Sequence, residues 1–335
     1  MDRRTFLRSS GAVAGASAVP VAASQSLATP AITRSRHRFS VATRFPIAQP
    51  GTSTFLIRLS ESVLAMSDGR LELAPATRMD EASVADVTLD FPQADGEMSF
   101  AHDVIAGYPG GLSPAMFVTW LDFGGGARLW GDIADASGRK TFYAGHTGGD
   151  PMLWSKHEEP ESESLAGRTV FTTGFGCRLV EALGGTLASA PKADLADGFS
   201  PFVDFINGLP NGYGWMIESP FHPMGRTLAL SMPRTLWDSI APADQALLEA
   251  AVAANARLVS TETIAHRRIT LSTLIMRSRI RPMQLERRLH RRAETIAQDL
   301  LSSGAATNLA TAKLVASMRG CAQAFSAFSS FDLTS

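Results

Sequence analysis

The apolar positions of this chain change period several times, and each change marks an element. Arg38-Phe39-Ser40-Val41-Ala42-Thr43 alternates with the two-residue period of a strand and is stopped by Pro46 and the Pro50-Gly51 turn. Over 54–66, Phe55, Leu59, Val63 and Met66 recur at helical spacing. Ser67-Asp68-Gly69 ends that run and Leu71-Glu72-Leu73 resumes the strand period. The order predicts a β-α-β unit. A second unit is predicted from a strand over 168–173, a helix over 177–183 and a strand over 186–190. After Pro242, residues 244–259 set Leu247, Leu248, Ala251, Ala254 and Leu258 on one side of a core-facing helix. Two separated β-α-β units in 335 residues, more than one core usually serves, predict an α/β chain of two lobes.

The N-terminus breaks this pattern. Asp2-Arg3-Arg4-Thr5-Phe6-Leu7-Arg8 places paired arginines before Phe-Leu. The uncharged Ala, Gly, Val and Ser run over 11–23 is shorter than the roughly 20 residues a membrane span needs, and Val21-Ala22-Ala23 offers small residues for a signal peptidase. Residues 1–30 therefore read as a twin-arginine signal and linker, making the twin-arginine translocase a partner during export and the periplasm the destination.

Composition adds mainly exclusions. With 45% hydrophobic residues, 19% charged residues and a formal net charge of −1, no bulk field calls for nucleic acid or an anionic membrane. Arg277, Arg279, Arg281, Arg287, Arg288, Arg291 and Arg292 crowd one segment. Pro282 interrupts it, Leu285 and Leu289 give it an apolar edge, and no aromatic residue is interleaved, so it reads as a solvated helical face. Cys177 and Cys321 are too few for a disulfide framework or a thiolate zinc site, while a single bridge stays open.

Catalytic patterns are sparse. Gly174-Phe175-Gly176 lies between a predicted strand and helix, as a dinucleotide fingerprint would, but Leu179 stands where the third glycine belongs, which favours an ordinary turn. The alternative it leaves is a periplasmic oxidoreductase with a nucleotide at that turn. The seven histidines have no metal-ligand spacing and no Gly-x-Ser-x-Gly elbow exists, so no catalytic residue, metal or cofactor is assigned. Four loops rich in glycine and aromatics, 107–111, 123–126, 143–148 and 215–225, are each expected to follow a strand. They would line a solute cleft walled by Tyr108, Phe123 and Trp215.

The ordered series Met66-Ser67-Asp68-Gly69-Arg70-Leu71-Glu72, Asp95-Gly96-Glu97-Met98, Trp120-Leu121-Asp122-Phe123-Gly124-Gly125-Gly126, Ala144-Gly145-His146-Thr147-Gly148, Leu165-Ala166-Gly167, Glu181-Ala182-Leu183-Gly184 and His222-Pro223-Met224-Gly225 resembles the solute-binding proteins of tripartite ATP-independent periplasmic (TRAP) transporters, the dicarboxylate-receptor type, and within it the monocarboxylate and 2-oxo acid subgroup. The resemblance implies a two-lobed periplasmic-binding-protein-like α/β fold with hinge-crossing strands and a long bridging helix. Lobe I would comprise 37–140 plus about 226–262. Lobe II would comprise 141–225 plus about 263–330, with the C-terminal helices. It also implies capture of a small organic acid between the lobes and delivery to TRAP-type membrane permease subunits, without catalysis. A less polar relative of such an acid, or a degenerate protein acting as a sensor or partner, are the variants left open.

Two departures from the family accompany it. The arginine that grips the substrate carboxylate is replaced by Phe171, with Arg168 on the opposite strand face, and the asparagine of the Gly-Asn-Thr-Gly loop is replaced by His146. Pro191 joins Asp194-Leu195-Ala196-Asp197-Gly198-Phe199 through only Lys192-Ala193, a deletion that prevents carrying over the family's cation site. The resemblance thus assigns ligand contact to His146, Thr147, Phe171 and His222, wall positions to Phe123, Tyr108 and Trp215, and the replacement anion partner to Arg226.

Overall fold

The computed structural model describes residues 36–43, 45, 51–75, 85–92, 98–148, 152–158, 163–189, 193–197, 212–276, 280–283 and 287–329. Residues 1–35, with the expected twin-arginine signal, residues 190–192 and 198–200, where the deletion is expected, and Arg277 and Arg279 lie outside the described residues.

The N-terminal alternation forms β1 (His37–Thr43), the helical run forms α1 (Thr52–Met66), and β2 (Leu71–Pro75) returns parallel to β1. Phe55, Leu59 and Val63 of α1 are fully buried, whereas Met66 in its last turn is exposed. The chain then adds β3 (Val87–Asp90), parallel to β1, and three helices, α2 (Ser99–Ala106), α3 (Pro114–Phe123) and α4 (Gly126–Ala136). Ser113 caps α3 by accepting from the Met116 amide, with Pro114 preset for the first helical position.

Beyond β4 (Arg139–His146) the chain builds a second sheet from β5 (Met152–Ser155), β6 (Thr169–Phe171), α5 (Phe175–Ala182), β7 (Thr186–Leu187), β8 (Leu195–Asp197) and β9 (Trp215–Glu218). β6 and β7 are parallel around α5, the second β-α-β unit that the sequence predicts. β10 (Thr227–Pro233) returns to the first sheet, followed by α6 (Arg234–Ser239) and the 35-residue α7 (Pro242–Met276). β11 (Arg281–Met283), α8 (Arg287–Thr307) and α9 (Leu309–Ser329) complete the described chain. The strand orders are β2-β1-β3-β10-β4 and β11-β9-β5-β8-β6-β7, so the fold is α/β in two sheets.

Two crossings join the sheets, from β4 to β5 and from β9 to β10, and they run side by side. The Thr147 amide donates to the Arg226 carbonyl at 2.8 Å and the Arg226 amide donates to Thr147 Oγ1 at 2.7 Å. Gly225 adopts φ +84 against the carbonyl of Gly148, so a side chain here would meet both left-handed strain and backbone. α7 spans the same junction. It packs on α1 and β4, Ser260 donates to the His146 carbonyl, and β11 beyond its end pairs with β9 of the second sheet.

Three sequence expectations shift in register or place. The buried stripe of α7 is Leu248, Ala251, Val252, Ala256 and Val259, with Leu258 48% exposed, because a helix held between α1 and β4 turns a face rotated from the apolar series chosen on sequence. Loops 107–111 and 123–126 follow helices α2 and α3 rather than strands. Helices α2 to α4 bury Ile105, Phe117, Trp120, Trp130 and Ile133 in one core with Leu153, Phe175, Leu179, Leu301 and Leu314, so the 99–136 segment shares its core with the second sheet and the C-terminal helices. The first core, around Phe55, Leu59, Leu89, Leu230 and Val259, is separate from it.

Candidate functional site

In the second sheet, β6 runs parallel to β8, and β9 is antiparallel to β5, which is itself antiparallel to β8. The carboxyl ends of β6, β8 and β9 therefore meet at one edge, the place where open α/β sheets offer chain ends and loops to a ligand. Facing them from the first sheet are the exit of β3 and the start of β4. Between lies a cavity of about 690 Å³, within the range of small-molecule sites. Its wall carries Asp90 at the end of β3 and Phe91 after it, Asp103 of α2, Arg139 of β4, Thr173 and Gly174 at the start of α5, and His222 and Arg226 from the second crossing.

Arg226 is 6% exposed and held from three sides. Its backbone is clamped to Thr147, its guanidinium carbon lies 4.0 Å from the centroid of the Phe91 ring, and its Nη1 donates to Thr173 Oγ1 at 2.6 Å. Stacking on an aromatic face and a fixed fork of donors are the features that suit arginine, and not lysine, to a planar anion. Gly174, with φ +60, opens α5 onto the same cavity. Gly176 fits closely against Thr172 and His222, leaving no room for a side chain there.

Behind this wall is a network that the sequence reading did not find. Asp197, the last residue of β8 and 3% exposed, accepts hydrogen bonds from Thr172 Oγ1 at 2.9 Å, Ser219 Oγ at 2.7 Å and His222 Nδ1 at 2.8 Å. The three donors follow from topology. The pairing of Phe171 with Ala196 brings Thr172 beside Asp197, and Ser219 and His222 follow β9 at the same edge. Burial alone would raise the Asp197 pKa, but His222, Arg226 and the Ser219 hydroxyl outweigh it and hold the carboxyl at about 2. His222 is 2% exposed. Its pKa lies below the usual histidine value because burial, aided by Arg226, outweighs the attraction of Asp197. The imidazole is thus neutral near pH 7, with its proton on Nδ1 facing Asp197. Its Nε2 is a buried acceptor without a hydrogen-bond partner.

These shifts fix the sign of the acid response. A histidine with a lowered folded pKa favours the folded chain fully above the unfolded value near 6.5, and that stability is lost as pH falls below it. His102, buried and also lowered, acts in the same direction. Asp197, at about 2 against 3.8, adds stability that is present above pH 3.8 and lost as pH falls toward 2, about 2 kcal/mol in all. Asp103 has the opposite sign, its pKa raised by burial against the pull of Arg178. Urea unfolding between pH 8 and pH 2.5 should show stability falling in both windows, with the lower one flattened in Asp197→Asn. A lower window of unchanged slope in that variant would show that another group carries it.

Of the residues assigned on sequence, His222 and Arg226 lie on the cavity wall and Thr147 lies directly behind Arg226. His146 is buried, accepts from the Gly148 amide at Nδ1, and with Tyr108 borders a void of about 10 Å³. Tyr108 packs in the second core against Phe175. Phe171 lies against Trp154 and Ala196, and Trp215, at the far end of β9 from Ser219, stacks under Arg281. Phe123 is 86% exposed at the end of α3. These last five do not line the cavity. Cys177 and Cys321 are both free thiols.

No protein-family model matches the chain, and no curated protein matches it. Solved structures do. A TRAP periplasmic solute-binding protein from Colwellia psychrerythraea, with bound calcium and pyruvate, is 18% identical with a TM-score of 0.78, covering 89% of this chain and 97% of its own. One from Bordetella bronchiseptica, with calcium and picolinate, is 16% identical with a TM-score of 0.77 over 89% and 95%. One from Haemophilus influenzae, with bound L-gulonate, is 12% identical with a TM-score of 0.71 over 85% and 99%. The chain has the two-lobed fold of these binding proteins.

A bound cation, as in two of those structures, finds no matching donor set among the described residues. Among the described residues no group of three or more His, Cys, Asp and Glu side chains could hold a metal ion. The carboxylates near the cavity are engaged, Asp197 by three donors, Asp103 by Arg178 at 2.9 Å and Asp90 by the Phe91 amide at 2.6 Å. The described residues do not fit such a site.

Proposed function

We propose that this chain, built on the fold of the TRAP solute-binding proteins, is the extracytoplasmic binding subunit of such a transporter. It captures a small organic acid, or a less polar relative, and hands it to membrane permease subunits without altering a covalent bond. The observation that carries the reading is the cavity between the two sheets with Arg226 built into its wall. A carboxylate there would meet a guanidinium whose stacking and hydrogen bonding fix its orientation before the ligand arrives, and the start of α5 would favour the same charge. Pyruvate, picolinate and gulonate in the neighbouring structures are all carboxylates, which supports the class.

The two crossings, side by side and antiparallel, support a hinge. Bending there would separate the sheets, and a ligand touching both would shift the population toward closure. Lobe boundaries near 141 and 226 belong to this proposal, the chain changing sheets between the end of β4 at His146 and β5, and again before β10 begins at Thr227, as does export to the periplasm on the twin-arginine signal. Among the described residues no helix is long and apolar enough to cross a membrane.

A thermal-shift panel of pyruvate, lactate, picolinate and their amides tests the reading. An acid present at about a hundred times its Kd should stabilise the chain by about 3 kcal/mol, several degrees in Tm. No shift with any acid or amide at millimolar concentration would remove the proposal.

A further inference from the structure

The cavity wall carries both signs of charge. Asp90 and Asp103 line it together with Arg139 and Arg226, while His222 is neutral, so the charged side chains of the wall balance and a ligand of no net charge leaves that balance undisturbed. Asp103 is the acid with an oxygen to offer. Its side chain is 18% exposed, and Arg178 Nε occupies only Oδ2, at 2.9 Å. Oδ1 takes no hydrogen bond from the described residues and is open to solvent. A side chain added to Gly174 would bring its first carbon 3.6 Å from Oδ1, so the glycine keeps that approach clear on the cavity wall. Burial raises the Asp103 pKa against the pull of Arg178, which leaves the carboxylate short of positive charge and favours a second cation beside it.

Asp103 and Arg226 are brought together from two directions. Arg226 Nη1 donates to Thr173 Oγ1 and Asp103 Oδ1 adjoins Gly174, two consecutive residues whose Cα atoms are ~3.8 Å apart. One turn along α2, the Gly107 amide donates to the Asp103 carbonyl, and Gly107 itself packs on the Gly225 carbonyl and on Arg226 Cα. From this arrangement we propose that the cavity is built for amino acids in their zwitterionic form, with Arg226 taking the carboxylate and Asp103 Oδ1 accepting from the cationic nitrogen. A simple acid satisfies Arg226 but sets a second anion beside Asp103, whereas an ammonium supplies Oδ1 with a charge-assisted donor. The proposal rests on the acid-binding reading and goes beyond it by giving the ligand a second, positively charged group. It also departs from the 2-oxo acid subgroup that the sequence resembles, whose ligands carry no such group.

The test is calorimetric titration of the full mature chain at pH 7 with sets of equal carbon skeleton: alanine, lactate and pyruvate; 2-aminobutyrate, 2-hydroxybutyrate and 2-oxobutyrate; phenylalanine, phenyllactate and phenylpyruvate. Chiral members are measured in both enantiomers, and 4-aminobutyrate is included as a longer zwitterion. The best amino acid should bind at least tenfold tighter than the hydroxy and oxo acids of its skeleton, and its amide, which keeps the ammonium and loses the carboxylate, at least tenfold weaker. In Asp103→Asn the preference should fall to within about threefold, with the hydroxy acid holding or gaining affinity because a like charge is gone. A variant that weakens all members alike overturns the assignment of Asp103, since a merely structural role does the same. Should that variant not fold, the wild-type comparison decides alone. Hydroxy or oxo acids binding the wild-type chain as tightly as the amino acids overturn the proposal while leaving the acid-binding reading intact. Absence of binding by every compound overturns both.

Discussion

Replacing Asp197 with alanine is expected to lower the thermal midpoint by about 10 °C. The side chain is the common acceptor for Thr172, Ser219 and His222, and all three donors are buried at the meeting point of β6, β8 and β9. Its removal leaves them without an acceptor in a place that water does not reach, and losses of this kind cost about 3–5 kcal/mol. In a chain of this length each kcal/mol moves Tm by roughly 2–4 °C. Asp197→Asn keeps the shape and one acceptor oxygen but turns an amide toward a donor, so its midpoint should fall between the other two. Calorimetry on the three proteins checks the order. A drop below 2 °C for the alanine variant would show that the network is not a structural keystone.

That network also shows where sequence reasoning stops. The two β-α-β units were legible because each is local: a strand period, a helical period and a strand period again, with turns to separate them. The two-sheet architecture followed from having two such units. The face of α7 was misjudged because Leu247, Leu258 and Ala254 are as apolar as the residues that are buried, and the choice among them is made by α1 and β4 from elsewhere in the chain. Asp197 gave no local signal. It ends a short Leu-Ala strand, as a turn residue would, and its partners come from positions 172, 219 and 222 through strand order alone. Phe91 and Arg139 were missed for the same reason. Phe123 and Tyr108 were chosen because aromatics beside glycines resemble cleft walls, yet the same composition also serves a helix end at the surface and a core contact. Arg226 and His222 were named through the His222-to-Gly225 turn of the resemblance. Their positions on one cavity wall come from the second crossing, which periodicity does not reveal.

Arg226→Ala is expected to weaken binding of the tightest acid in the panel at least a hundredfold. The estimate comes from losing a charge-assisted, two-pronged contact in a partly enclosed site, about 3 kcal/mol or more, where 1.4 kcal/mol is a factor of ten. Arg226→Lys should recover less than a tenth of the lost affinity. An ammonium can supply the charge, but neither the planar stack on Phe91 nor the bond to Thr173 that orients the fork. The amide of the same acid separates a binding role from a structural one. If Arg226 acts on the carboxylate, the amide should bind weakly to the wild-type chain and change by less than threefold in the alanine variant, so that the two losses do not add. If acid and amide lose affinity equally, Arg226 serves the hinge through its contacts with Thr147 and Thr173 rather than the ligand, and the anion site must be sought at Arg139. Titration of both ligands against the three proteins distinguishes these cases without knowledge of the natural solute. It also asks of a single side chain whether the position of the cavity, at the carboxyl ends of three strands and against the crossing that joins the sheets, is what couples holding a solute to closing on it.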